Sequence, residues 1–264
     1  MATTLASLPA IDGRRSGAPQ LPDLDIITEP VRGDVTREPA LLACGAQGAE
    51  PALGQVYVAR HGQTESNLLR RYAGYSSEPL TKTGRSQMGG LAAQLALCGI
   101  AEIWTSAVTR ARESAHLVSQ ALSVPVRVDP RLNELRMGPW EGLTEAQVAD
   151  RFADAYRLWC TLPDRLALDG RETLAAVAAR VTAALSDAAS RPRPVLLMTH
   201  VAPLRVAVLH TLGLPLRLYK RAHVPNGDCV RVDRERCEVC PLGEDRSLRR
   251  RLNLALAEPE GSAA

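Results

Sequence analysis

Aromatic side chains are nearly missing: one Phe, three Trp and five Tyr make up 3% of the 264 residues. With so few rings, the core must be assembled mainly from Leu, Val and Ala. Lysine is scarcer still, because of 32 basic residues only Lys82 and Lys220 are lysines. We ascribe most of the arginines to base composition. Only clustered ones speak to function, since a guanidinium fork suits bidentate recognition of phosphate or carboxylate. No run approaches the roughly 18 apolar residues of a membrane span. Residues 1–10 lack a basic stretch followed by a continuous apolar one, so they make a poor secretory signal. Their Ala, Ser and Thr content with Arg14 and Arg15 faintly resembles a transit peptide, but Asp12, Asp23 and Asp25 argue against it. The cytoplasm is the expected compartment. The net charge of +3 is small, and 45% hydrophobic with 23% charged residues fits a globular protein. Neither nucleic acid nor a membrane is expected as a partner.

The six cysteines (Cys44, Cys98, Cys160, Cys229, Cys237 and Cys240) are scattered, which favours reduced thiols. Cys237-Glu-Val-Cys240 has zinc-like spacing that Cys229 and His223 could complete. There is no second Cys-x-x-Cys, and the pair follows a charged stretch, so neither a metal nor a redox pair is expected.

Residues 1–52 carry Pro, Gly and mixed charge without periodicity and read as a disordered or extended segment. From Gln55 short β-rich runs alternate with helical stretches. Strands are predicted at 55–59, 102–105, 125–128, 195–198 and 229–232, and helices at 83–97, 109–122, 144–159, 172–189 and 203–212. Such alternation implies an α/β fold: a three-layer α/β/α sandwich around a mostly parallel central sheet. It would occupy residues 53–240, and residues 241–264 read as a polar, Arg-rich tail.

In an open parallel sheet the functional crevice lies beyond the carboxyl ends of the strands. The first strand delivers Arg60-His61-Gly62 there, the second leads to Ser106 and Arg110, and the buried fourth ends at Thr199-His200. Leu132-Asn133-Glu134 follows the third. Two histidines, two arginines and a carboxylate thus converge on one sheet edge. A neutral imidazole nitrogen can attack phosphorus and split a hard displacement into two easier ones. Arg60 and Arg110 can neutralise the phosphoryl oxygens. Gly62 would let the backbone approach the phosphate, and a helix starting near Thr64 would aim amides at it. Glu134 is the suitable proton donor, kept protonated beside a dianionic phosphate.

Arg60-His61-Gly62-Gln63-Thr64 with Asn67, and Gly74 before Glu78-Pro-Leu-Thr-Lys-Thr-Gly84, are further joined by Ser106 with Arg110-Ala111. Leu132-Asn133-Glu134 with Gly138-Pro-Trp-Glu-Gly142, Thr199-His200 and Asn226-Gly227 complete a series over residues 55–233 that resembles the histidine phosphatase superfamily, the phosphoglycerate-mutase-like fold. The resemblance implies His61 as the phosphorylated nucleophile, with Arg60, Arg110 and His200 binding the phosphoryl group. Asn67 would add a hydrogen bond, and Glu134 would act as general acid and then as base. Gly62, Thr64, Gly74 and Val201 are carried over with Asn67 as substrate contacts. No cofactor or metal is implied. The family usually has two glycines after the second histidine; Val201-Ala202 stands there instead and would enlarge the wall near the phosphate.

The leading expectation is a phosphomonoesterase acting on a small phosphorylated metabolite. A phosphoglycerate mutase is the alternative, although mutases of the family generally carry a longer insertion than the 65 residues separating Glu134 from His200. A non-catalytic phosphate-binding scaffold is a third reading. The segment 148–169, with Arg151, Tyr156, Arg157, Trp159 and Arg165, is read as a lid. Besides the phosphate ester, a second copy of the chain is an open option as partner.

Overall fold

The structure, a computed structural model, describes residues 54–233 and 238–242. The expectations for residues 1–52 and for Cys44 and Cys237, and those for all but two residues of the C-terminal tail, lie outside this range. Within it the strands are β1 (Val56–Arg60), β2 (Glu102–Thr105), β3 (Val126–Val128), β4 (Val195–Thr199), β5 (Cys229–Asp233) and β6 (Glu238–Pro241). The helices are α1 (Glu65–Leu68), α2 (Lys82–Leu95), α3 (Thr109–Leu122), α4 (Glu145–Arg151), α5 (Ala153–Thr161), α6 (Leu174–Ala189) and α7 (Val201–Thr211).

The six strands form one sheet in the order β3-β2-β4-β1-β5-β6. The first four are mutually parallel, whereas β5 runs antiparallel to β1 and β6 antiparallel to β5. Strand side chains alternate between faces, and here the alternation sorts the core into two layers. Val56 and Val58 of β1 pack with Val195 and Leu197 of β4 against α6 and α7; Tyr57 and Ala59 pack with Leu196 and Met198 against α2 and α3. All five residues of β4 are buried, as a strand covered on both faces requires. The three-layer sandwich follows.

The expected elements end within two residues of their observed bounds, and two differences beyond that have local reasons. The expected helix 144–159 is interrupted at Phe152 (φ −132°, ψ 44°), whose ring meets Trp140 with centroids 6.4 Å apart. Tertiary packing overrides helical propensity there. Strand β6 was not expected, because its four residues carry no alternation; pairing with β5 makes it a strand.

Register positions the site. Arg60 of β1 lies opposite Thr199 of β4, so His61 and His200 leave adjacent strand ends together. The His61 amide donates to the Thr199 carbonyl at 2.9 Å, and the Ser106 amide to Met198 at 3.1 Å. Because β5 is antiparallel, the turn before it (Asn226-Gly227-Asp228) also falls at this edge. The Gly227 amide lies 3.2 Å from the carbonyls of both Arg60 and His61. Among the described residues no helix is long and apolar enough to cross a membrane.

Candidate active site

His61 is 2% exposed, and its two ring nitrogens have different partners. Nδ1 lies 2.7 Å from the Gly62 carbonyl, which can only accept, so Nδ1 carries the proton. Nε2 lies 3.1 Å from Arg110 Nε, which can only donate, so Nε2 presents its lone pair. Burial, and then the Arg110 and Arg60 charges, hold the imidazole pKa well below its usual value. The ring is therefore neutral at neutral pH and nucleophilic at Nε2.

Arg110, 1% exposed, is pinned from the other side by the carbonyls of Gly74 (2.8 Å from Nη2) and Ser76 (3.3 Å from Nη1). Gly74 is required by conformation: its φ is +49°, and a Cβ there would sit 2.6 Å from the Glu141 carboxylate. Gly74 thus holds Arg110 through its carbonyl. Arg60 donates through Nη1 to the Val224 carbonyl at 2.9 Å, while its buried Nε has no hydrogen-bond partner. Burial and the neighbouring Arg205 push the Arg60 pKa down to about 10.

His200 packs edge-on to His61 with ring centroids 5.0 Å apart. Its tautomer follows by elimination. Asn133 Oδ1 accepts from the Ala107 amide at 2.8 Å, so it is an acceptor, and the Ser106 hydroxyl spends its proton on it at 3.0 Å. Ser106 Oγ also accepts from the Val108 amide at 3.1 Å, so toward His200 Nε2, 2.8 Å away, it can only accept. Nε2 therefore carries a proton. Burial, followed by the charge of Arg110, lowers the His200 pKa far below its usual value, so the ring is neutral and Nδ1 is a lone pair. That buried Nδ1 has no partner.

Glu134, 4% exposed, accepts through Oε1 from the Leu135 amide (2.9 Å) and the Ala202 amide (3.2 Å). Ala202 lies in the first turn of α7, where amides have no intrahelical acceptor. Pro203 follows in the same turn, where its missing N–H costs nothing. Ala202 is fully buried and Val201 partly exposed, so the residues replacing the expected glycines leave the helix start intact. Arg180 anchors the backbone under Glu134. It pairs with Glu172 through Nε (2.7 Å) and Nη2 (2.9 Å), and donates to the carbonyls of Arg131 (2.7 Å), Asn133 (2.6 Å) and Glu134 (3.1 Å).

The five residues expected at the centre are thus brought to one sheet edge, but the contacts expected after His61 are arranged differently. The Gly62 amide donates to Ser114 Oγ at 3.1 Å, and a Cβ at Gly62 would lie 2.4 Å from the Gly84 carbonyl oxygen. Glycine is needed there for close backbone packing, and its amide is already engaged. The amides around α1 are engaged too. Gln63 donates to Gln87 Oε1 (2.9 Å), Thr64 to Asn67 Oδ1 (3.1 Å) and Ser66 to Glu78 Oε2 (3.1 Å). The expected anion-facing helix start is instead a four-residue turn capped by a carboxylate. Asn67 Oδ1 also accepts from Asn226 Nδ2 at 3.0 Å, which reserves the Asn67 NH2 group for donation. In the expected lid, Trp159 is buried and Arg157 pairs on the outer surface with Asp154.

Ser106 and Asn133 stood within the quoted motifs without a role, and their part emerges only from proton counting. Asn226, also within a quoted motif, ties the His61 carbonyl to Asn67 Oδ1, whereas Ser114 and Arg180 act through backbone amides and carbonyls, for which sequence offers no signal. Among the described residues no group of three His, Cys, Asp or Glu side chains is placed to hold a metal ion. Cys229 is buried, which raises its thiol pKa well above the usual range, and Cys240 lies on β6 with Arg231 Nη2 3.8 Å from its sulfur.

Comparison with known proteins extends the picture. Residues 56–240 match the model of the histidine phosphatase superfamily (branch 1). The chain is 34% identical over 186 residues to the "Probable phosphoglycerate mutase GpmB" of Enterobacter sp. (strain 638), covering 68% of this chain and 84% of that protein. Among solved structures it resembles Bacillus stearothermophilus YhfR, at 28% identity and a TM-score of 0.64, over 68% of this chain and 91% of that one. It also resembles a mycobacterial glucosyl-3-phosphoglycerate phosphatase, at 29% identity and a TM-score of 0.61, over 67% and 88% of the two chains.

Proposed function

The chain belongs to the histidine phosphatase superfamily, and from that premise we propose that it is a phosphomonoesterase working through a phosphohistidine on His61. The observation that carries this reading is the His61 tautomer. Its Nδ1 proton is held by the Gly62 carbonyl, and its Nε2 lone pair faces a fixed arginine. As the substrate enters, Arg110 exchanges Nε2 for a phosphoryl oxygen, and Arg60 and the Asn67 amide supply further donors. Nε2 attacks phosphorus, the P–O bond to the leaving group breaks, and Glu134 gives that oxygen its proton. Water then attacks phosphorus, Glu134 takes a proton from it, the P–N bond breaks, and phosphate leaves with His61 restored.

His200 adds a condition. Its neutral form meets the site with a lone pair on Nδ1, which repels a phosphate dianion. An anion is held well only when it brings a proton or when His200 gains one. The guanidinium groups of Arg60 and Arg110 supply the positive charge, so the scheme routes no step through a metal.

A second reading is mutase-type phosphoryl transfer, favoured by the names of the relatives near 34% identity. A cheap assay separates the two. The purified chain should hydrolyse p-nitrophenyl phosphate at the same rate with and without EDTA. Abolition by EDTA would refute the metal-free scheme, and conversion of 3-phosphoglycerate to 2-phosphoglycerate without free phosphate would favour the mutase.

A further inference from the structure

Beside Glu134 lies a second group of cations that the scheme above does not use. Arg171 precedes α6 and is 7% exposed; its guanidinium carbon lies 4.2 Å from the Trp159 ring centroid and 5.0 Å from that of Trp140. Lys220 Nζ is 4.7 Å from the same Trp159 ring. Arg205 of α7 lies 5.0 Å from the ring of Tyr219, which is 2% exposed. Arg171 Nε and Nη2 and Arg205 Nε are buried without a hydrogen-bond partner. Among the described residues no carboxylate forms an ion pair with any of the three.

Stacking on aromatic faces stabilises a cation by only about 0.5–2 kcal/mol, whereas an uncompensated buried charge costs several. The three also repel one another: burial first, and then the charges of Arg205 and Arg171, push the Lys220 pKa down to about 8. Such a cluster fits a site whose counterion arrives with the ligand. Its position gives the ligand's geometry. Ala202, whose amide donates to Glu134 Oε1, precedes Arg205 by one turn of α7, and Arg171 adjoins Glu172, which Arg180 ties to the Glu134 carbonyl, so the cluster shares the acid's surroundings. In the proposed reaction Glu134 protonates the leaving oxygen. What lies on its side is therefore the leaving group.

We propose that Arg171, Arg205 and Lys220 form a subsite for a second anionic group, a carboxylate or a second phosphate, carried by the alcohol part of the substrate. This rests on the phosphomonoesterase reading for its orientation and on the unpaired cations for its chemistry. Arg60 and Arg110 balance the phosphoryl charge; the remaining cations select among phosphate esters by what the ester carries.

The test compares three substrates that share a glycerol frame: glycerol 3-phosphate, with a neutral end, 3-phosphoglycerate, with a carboxylate, and glycerol 1,3-bisphosphate, with a second phosphate. The full chain should prefer one or both anionic compounds in kcat/KM by about 10–100-fold, the scale of a charge-assisted contact. A preference confined to 3-phosphoglycerate identifies a carboxylate, and one confined to the bisphosphate identifies a phosphate. Arg171→Gln and, independently, the more exposed Lys220→Gln should erase that preference through KM. Both should leave p-nitrophenyl phosphate hydrolysis within about threefold of the parent. Equal use of all three compounds, or an equal loss on every substrate in both variants, would overturn the subsite. Calorimetric titration of the three compounds into the His61→Ala chain reads the subsite without turnover. Discrimination there supports it even if p-nitrophenyl phosphate is not hydrolysed, an outcome that would sink the phosphatase reading alone. Indistinguishable affinities would remove the subsite.

Discussion

On the phosphoryl side of the site, His61, Arg110 and the Nε2 edge of His200 each rest on a polar partner that fixes where protons sit. On the side of Glu134, Arg171, Arg205 and Lys220 rest on indole and phenol rings, with guanidinium nitrogens left over. The first wall is organised before any ligand arrives, as a centre that must align an in-line displacement requires. The second is held by shape and waits for charge. Under the proposed reaction the first region governs rate and the second the choice of ester, and substitutions should separate the two.

The largest effect is expected at the acid. Glu134→Gln should lower kcat roughly 10²–10⁴-fold on esters with poor leaving groups, the range for general acid catalysis. The loss should be far smaller with p-nitrophenyl phosphate, whose phenolate departs without a proton. Equal losses on both substrates would place the proton donor elsewhere. A middle effect is expected from Ser106→Ala, which leaves the buried His200 Nε2–H unpaired. Such a group costs about 1–3 kcal/mol, or roughly 5–150-fold in anion affinity. Phosphate inhibition measured across pH should weaken and shift its profile, whereas unchanged inhibition would contradict the tautomer assignment. A further effect concerns stability rather than turnover. His61 and His200 are buried neutral, so below about pH 6.5 the unfolded chain binds protons that the native chain refuses. Native stability should therefore fall as pH drops, by about 1.4 kcal/mol per unit for each histidine. Urea midpoints at pH 7.5 and 5.5 read this, and His200→Gln should flatten the dependence. A midpoint that changes no differently in that variant would show His200 to be protonated in the native chain.

Much of the first wall was legible in the sequence. The strand ends at Arg60-His61 and Thr199-His200 were visible as apolar runs followed by reactive residues, and parallel pairing then forces them together. Gly62 was also visible, but its reason was not: Gly84 approaches it through space, across a separation of 22 residues. The amides after His61 could not be assigned from sequence either, because their acceptors, Gln87, Glu78 and Ser114, come from other elements. The second wall was nearly silent. Trp159 was read as part of a lid, and only packing shows it buried between Arg171, Lys220 and Tyr219. Long side chains converging from the turn before α6, from α7 and from the 3-10 turn Leu216–Arg221 leave no local pattern.

The central claim is that His61 Nε2 takes the phosphoryl group, and trapping that intermediate tests it most directly. The Glu134→Gln chain mixed with p-nitrophenyl phosphate, quenched in alkali and mapped by mass spectrometry, should carry a phosphoryl label on the peptide containing His61. The label should be stable in base and lost in acid. A chain that turns over substrate without acquiring that label, or that carries it on another residue, would contradict the account.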